Sequence, residues 1–404
     1  MELRARLRQD PVAKLEISSI RLTRVSIPLT MVHAGSMYVI QKAERTVVEL
    51  TLANGVTGLG DTWGTPEVYA MAGAFAKGWI GKDALDRFAL RTATLGRSNY
   101  DNKYGRNGRA AYAGLDLAAW DAVARSLQLS LAELIGGRGR ESIDVVSTLP
   151  AAILPKAVSR EELTRHLDDL ANTPRVVDFA KEQVRKFGFR SFKLKSAAYS
   201  PEWDWKLLNE LKEALPQARI RFDPNANYGP ATATALCKRL DHLGLEFFED
   251  PTGELEGLAR LKAAVKTPVA TNMWVVKDEQ VAPAIRRSAV DVVLGDLFMW
   301  GGIDALRRMA KTAHAFGLKP ALHSVYETGI STVANLHLAS ALPEVEYPND
   351  ASLHFMSADV LAEPQDVVDG RMKLPKGDGL GVTLDRAKLD KLTSEAPAAL
   401  GRRE

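Results

Sequence analysis

The strongest constraint on this chain is a repeat of short apolar runs that each finish on a polar side chain. Phe192-Lys193-Leu194-Lys195, Phe222-Asp223-Pro224-Asn225, Phe248-Glu249-Asp250-Pro251, Thr271-Asn272-Met273, Gly295-Asp296 and Leu322-His323 follow one another at intervals of about 25 residues, the length of one strand and one helix. Eight runs of this kind can be marked, at 143–147, 191–195, 219–223, 245–249, 268–272, 291–296, 319–323 and 345–349. Between them lie apolar residues at helical spacing: Ala180, Val184 and Phe187, then Leu208, Leu211 and Leu215, then Ala233, Leu236, Cys237 and Leu240, then Ile303, Leu306, Met309 and Ala310. Such a stripe covers a sheet with one face of a helix. Eight strand–helix units predict an α/β chain closed as a (β/α)8 barrel, with its site at the C-terminal ends of the strands. A doubly wound open sheet is the alternative, but no G-x-G-x-x-G turn follows any of the runs, which weakens its dinucleotide-binding form.

The first third of the chain has a different grammar. Residues Leu15–Leu29 and Thr46–Leu52 alternate and are rich in Ile, Val and Thr, and Asn54-Gly55 reads as the turn of a hairpin into Val56–Leu59. Residues 30–40, with His33, Gly35 and Ser36, read as a loop. Helical stretches are expected over Pro66–Leu95 and Arg109–Leu134, the second stopped by Gly136-Gly137. Residues 15–137 therefore read as an α+β domain, and residues 1–14, with scattered charge and Pro11, as a flexible arm. At 404 residues two or three domains are expected, and 46% apolar with 25% charged residues suits a globular chain. A net charge of +3 without a basic run argues against nucleic acid as a partner. No apolar stretch is long enough for a membrane span or a secretion leader. The single cysteine, Cys237, allows no intramolecular disulfide and too few thiolates for a structural zinc cluster, which fits the cytoplasm.

Taken singly, each strand-end residue has an ordinary reading: a solvated Lys-x-Lys edge, an Asp-Pro turn, a core histidine, an asparagine helix cap. Their register is what turn chemistry does not supply, because buried lysines and carboxylates are costly unless paired or bound to metal. Asp223, Glu249 and Asn272 offer three hard oxygens on adjacent strands, a set suited to Mg²⁺. Lys195 stands on one flank, with Lys193 expected to depress its pKa by like charge. His323 stands on the other, one strand after Asp296, whose carboxylate would fix the imidazole tautomer. A cation between two opposed bases suits removal of a proton α to a carboxylate.

With these residues in place, the chain resembles the enolase superfamily, and within it the mandelate racemase and glucarate dehydratase branches. The resemblance rests on Lys193-Leu194-Lys195, Asp223, Glu249, and the pair Asp296 and His323, together with Gly58-Leu59-Gly60 and the helix Ala113-Gly114-Leu115-Asp116 to Trp120-Asp121. It implies an N-terminal α+β capping domain (15–137), a modified (β/α)8 TIM barrel (138–355), and a C-terminal segment (356–404) returning to the cap. It also implies Lys195 and His323 as bases, with Lys193 and Asp296 as their catalytic partners. Asp223, Glu249 and Asn272 become the Mg²⁺ ligands, and Asn225 contacts metal site or substrate. Asparagine at 272, where most branches carry a carboxylate, is similar to the glucarate dehydratases. His33, Tyr38 and Trp63 are candidate readers of the far end of the substrate; Asn102–Asn107, with Tyr104 and Arg106, reads first as a solvated loop and second as a loop that reaches the site. The expected activity is dehydration of an acid sugar, an aldarate or aldonate, to a 2-keto-3-deoxy acid, in a cytoplasmic homo-oligomer. A racemase or epimerase using the same two bases is the alternative, and a relative that only binds an acid sugar is a third reading.

Overall fold

The computed structural model describes residues 15–96, 105–154, 173–394 and 398–401. The expected arm at 1–14 and Tyr104 lie outside the described residues. Three antiparallel strands open the fold, β1 (Ile17–Ala34), β2 (Val39–Leu52) and β3 (Thr57–Trp63). The turn between the last two places Gly55 at φ 84°, which favours glycine. The region expected as a loop at 30–40 is mostly strand: β1 runs on to Ala34 after a register shift between Pro28 and His33, where proline cannot donate to the ladder.

Helices α1 (Pro66–Trp79), α2 (Arg87–Leu95), α3 (Gly105–Ser126) and α4 (Leu131–Ile135) follow. Each of the two long stretches expected from the sequence is therefore divided. Asp86 caps α2 through the amide of Ala89 at 2.9 Å, and Ser130 with Glu133 forms a reciprocal cap on α4. Helix α3 lies so close to the sheet that a Cβ on Gly58 would stand 2.1 Å from the Ala118 carbonyl, and one on Gly60 would stand 2.2 Å from that of Gly114. Only glycine allows this approach.

The second layer holds β4 (Ser142–Leu149), a short β5 (Ile153–Leu154) that pairs with β1, then α5 (Thr173–Phe187), β6 (Ser191–Lys195), α6 (Pro201–Ala214), β7 (Arg219–Asp223), α7 (Pro230–Leu240), β8 (Phe247–Glu249), α8 (Leu255–Lys262), β9 (Val269–Thr271), α9 (Asp278–Arg286), β10 (Val292–Asp296), α10 (Leu297–Trp300), α11 (Ile303–Ala315), β11 (Lys319–His323), α12 (Gly329–Ala341) and β12 (Asn349–Ala351). The parallel strands take the order β12-β4-β6-β7-β8-β9-β10-β11, curling into a barrel. Between β11 and β12 no ladder is formed among the described residues, and Ser324 Oγ donates to the Asp350 carbonyl across that seam at 3.1 Å. The last strand begins at Asn349, not at Val345 as the apolar run suggested, because Pro348 interrupts it.

Beyond the barrel, β13 (Arg371–Lys373) runs antiparallel to β4. Further on, α13 (Arg386–Leu392) ties the guanidinium of Arg386 to Glu49 of β2, and β14 (Ala398–Gly401) adds an edge to β1. Helix α3 is the hub of these contacts. Asp121 accepts from the amides of Leu59 at 2.8 Å and Leu380 at 2.6 Å, and Asp116 accepts from that of Ile303 at 3.0 Å. No described helix is long and apolar enough to cross a membrane.

His337 on α12 shows how the folded state fixes a tautomer. Its Nδ1 accepts from the Ala132 amide and its Nε2 donates to the Leu380 carbonyl, each at 3.1 Å. Burial pulls this imidazole from 6.5 down to about 4. The unfolded chain therefore binds the proton first, so the residue's contribution is intact above 6.5 and is lost as the pH falls towards 4. Glutamine can copy both hydrogen bonds without titrating. Over that interval, wild type should lose stability relative to His337→Gln by about 1.4 kcal/mol per pH unit, measured by denaturant unfolding at successive pH values.

Candidate active site

The site is built from strand ends whose side chains alternate between the barrel interior and the helical layer. On β6, Phe192 and Leu194 pack outward while Lys193 and Lys195 point inward. Register then sets neighbours side by side: Lys195 is the strand partner of Asp223, and Asp296 of His323. The Lys195 ammonium lies directly against Asp223 Oδ2. Lys193 donates to Glu249 at 2.8 Å and Asp350 at 2.6 Å.

That geometry corrects the expected effect of one lysine on the other. Burial pulls the Lys195 ammonium down, but Asp223 and Glu249 outweigh it and hold the group above its ordinary range. Lys193 does not govern Lys195, because its charge is spent on two carboxylates of its own. Asp350 was missed in the sequence, since the run at 345–349 put the last strand end one residue too early. It joins Lys193 to the wholly buried Arg221, whose Nη1 donates to it at 3.0 Å. Burial pushes Asp350 up, yet Lys193 and Arg221 more than offset this and hold it at about 2.

On the opposite flank, His323 Nδ1 meets Asp296 Oδ2 at 2.9 Å, which leaves Nε2 as the atom available to a substrate. Asp296 Oδ1 accepts from the amides of Phe298 and Met299, both at 2.8 Å. Burial raises Asp296, but the bond to His323, its charge and the two amides bring it below the ordinary carboxylate value.

Between these flanks stand the three expected ligands. Asp250, in the left-handed region at φ 42°, accepts from Thr271 Oγ1 at 2.5 Å and from the Asn272 amide at 2.8 Å, which fixes the strand end that carries Asn272. Asp223 Oδ1 takes the Asn225 amide at 3.0 Å. Glu249 Oε2, Asn272 Oδ1 and Asn225 Oδ1 are buried with no hydrogen-bond donor. Orphaned acceptors of this kind are costly, and a hard cation satisfies them. Among the described residues no three His, Cys, Asp or Glu side chains are placed to hold a metal ion by themselves; here the third oxygen comes from the Asn272 amide. The donor set fits Mg²⁺ and does not suit a softer metal.

Several of these groups line a cavity of about 350 Å³, within the range of small-molecule sites, whereas Asp223, Glu249 and Asp296 are not part of its lining. Tyr38 reaches it, as do Asn225, Asn272, Lys193, Lys195 and His323. His33 does not: it is buried beneath Tyr326, whose hydroxyl meets its Nδ1 at 3.0 Å, and burial lowers its pKa to about 4. Trp63 stays outside the lining, but Arg106, expected in a solvated loop, lies in the first turn of α3 and lines the cavity with Arg109.

Residues 18–136 match the family model "Mandelate racemase / muconate lactonizing enzyme, N-terminal domain", and residues 175–388 match "Enolase C-terminal domain-like". The fold and site thus define a capped-barrel enzyme, and the chain belongs to the enolase superfamily. A curated relative from Streptomyces coelicolor named "Probable glucarate dehydratase" is 30% identical over 85% of this chain and 83% of its own. "Muconate cycloisomerase 1" of Rhodococcus opacus is 32% identical over 92% and 96%. Among solved structures, an enolase from Streptomyces coelicolor superposes with a TM-score of 0.85 at 33% identity, covering 93% of this chain and 96% of its own. An enolase from Thermobispora bispora complexed with magnesium and formate does so with 0.84 at 29%, covering 94% and 92%.

Asp350→Asn leaves Arg221 and Lys193 short of one buried negative charge. It should cost about 3–5 kcal/mol of unfolding free energy, read from denaturant melts against wild type.

Proposed function

We propose that this protein is a Mg²⁺-dependent acid-sugar dehydratase. The observation that carries the reading is the row of unpartnered oxygens on Glu249, Asn272 and Asn225, set between Lys195 on one side and the Asp296–His323 pair on the other. Asp223, Glu249 and Asn272 would hold the cation, with Asn225 beside them. When bound, Mg²⁺ supplies a hard electrophile that fixes the substrate carboxylate and lowers the cost of charge developing on it. The solved relative that carries magnesium and formate supports this assignment.

The chain's own residues do the rest. His323 Nε2, or Lys195 Nζ in its neutral form, takes the α-hydrogen as a proton. Lys193 and Lys195 place positive charge beside the carboxylate as it gains electron density. The α-carbon's electron pair forms a double bond to the β-carbon, and the β-hydroxyl departs with a proton from His323 as water. The enol left behind tautomerises to a 2-keto-3-deoxy acid. Asp296 acts through His323, holding Nε2 towards the cavity. Tyr38 and Tyr326 line the cavity together, Tyr38 from the cap side.

A second reading, epimerisation at the α-carbon, is favoured by the placement of two proton-carrying groups on separate strands, β6 and β11. The deciding measurement is NMR in deuterated water on a panel of acid sugars with Mg²⁺. Dehydration shows loss of the β-hydroxyl and a new keto acid. Exchange of the α-proton with the hydroxyl retained means epimerisation and removes the dehydratase reading. On the true substrate, Lys195→Met and His323→Asn should each lower kcat by about 10²–10⁴, the usual share of general acid–base catalysis. Chelation with EDTA should abolish turnover, and added Mg²⁺ should restore it. Wild-type rates in both variants would rule out the mechanism.

A further inference from the structure

The two sides of the cavity carry different chemistry. The charged side chains on the barrel side are Lys193, Lys195 and Asp350, all at strand ends. On the cap side the charged side chains are Arg106 and Arg109. These two lie three residues apart on α3, so both face the same way. Arg109 is partly buried and held in place: its Nε donates to the Met299 carbonyl at 2.5 Å. Arg106 lies over the ring of Trp63, 4.5 Å from its centroid. Among the described residues neither guanidinium has a carboxylate at ion-pair distance. Burial pulls Arg109 down, Glu279 partly compensates from a distance, and the charge of Arg106 opposes it further.

Two like charges on neighbouring turns repel unless an anion joins them. Guanidinium is also the group best shaped to take a carboxylate with paired hydrogen bonds. Met37, Ile40, Val276 and Met299 supply an apolar lining to the same cavity.

We infer that Arg106 and Arg109 bind a second carboxylate at the end of the substrate away from the reacting carbons, so that the substrate is an aldarate. The inference rests on the dehydratase reading for the placement of the first carboxylate. Reaction at one end and recognition at the other then make the wild-type enzyme select dianions over monoanions of equal length.

The test compares glucarate with gluconate, and galactarate with galactonate, as pairs differing by the second carboxylate. Wild type should favour the diacid in kcat/KM by about tenfold or more, since a site built to pair with a group discriminates against its absence. Arg109→Gln, Arg106→Gln and the double variant should reduce that diacid-to-monoacid ratio towards one. Arg106→Lys should keep part of it. Thermal melts show whether each variant folds, and Arg106→Gln, on an exposed side chain, keeps the test available if the others do not.

Equal kcat/KM for the two members of a pair in wild type, or equal losses on both in the variants, would overturn the inference and leave dehydration untouched. If no acid sugar loses water, the dehydratase reading fails, and calorimetry with tartrate and threonate in Mg²⁺ decides this point separately. Tighter tartrate binding that the arginine variants abolish supports the distal anion site. Equal binding of the two acids in wild type overturns it.

Discussion

Lys193 stands between Glu249 and Asp350, and the mouth of the barrel depends on that placement. A lysine this deeply buried is tolerated only when opposite charge is within hydrogen-bond reach. Here two carboxylates supply it, and Arg221 answers the second of them from the layer below. The result is a chain of alternating charge, Glu249–Lys193–Asp350–Arg221–Glu246, running across strands that are far apart in sequence. It links the edge strand β12, which carries Asp350, to β6, β7 and β8 across the barrel interior.

Against that compensated background, the uncompensated atoms carry the meaning. Glu249 spends one oxygen on Lys193 and leaves the other bare. Asn272 is fixed by its backbone amide, through Asp250, so its side-chain oxygen is free to face the centre. The structure thus separates groups that hold the fold from groups turned to the cavity, often within a single side chain.

Much of this was legible in the sequence. Strand alternation alone brings Lys193, Lys195, Asp223, Glu249, Asn272, Asp296 and His323 to one end of a barrel, because period and register need no knowledge of packing. What the sequence hid was electrical or depended on one proline. Like charge between Lys193 and Lys195 is the only interaction visible in a Lys-x-Lys motif, whereas the carboxylates that override it arrive from β7, β8 and β12. Asp350 escaped because Val345 and Tyr347 look like strand, yet Pro348 delays the ladder until Asn349. His33 shows the opposite error: a histidine in a region read as loop is part of β1 and is packed against Phe355 and Tyr326. Arg106 is exposed, as a solvated reading expects, yet it stands in the first turn of α3 and lines the barrel mouth, the second reading of that segment.

Strand β14 completes the sheet of the cap by pairing with β1, although the whole barrel separates the two in sequence. Arg386 reinforces the same junction by reaching Glu49. During synthesis the cap's first three strands and α3 emerge early, but the edge of β1 stays open until residues 398–401 leave the ribosome. The cap, first to be made, is thus among the last parts to be finished. The barrel segment is made beside a cap whose sheet still lacks one edge.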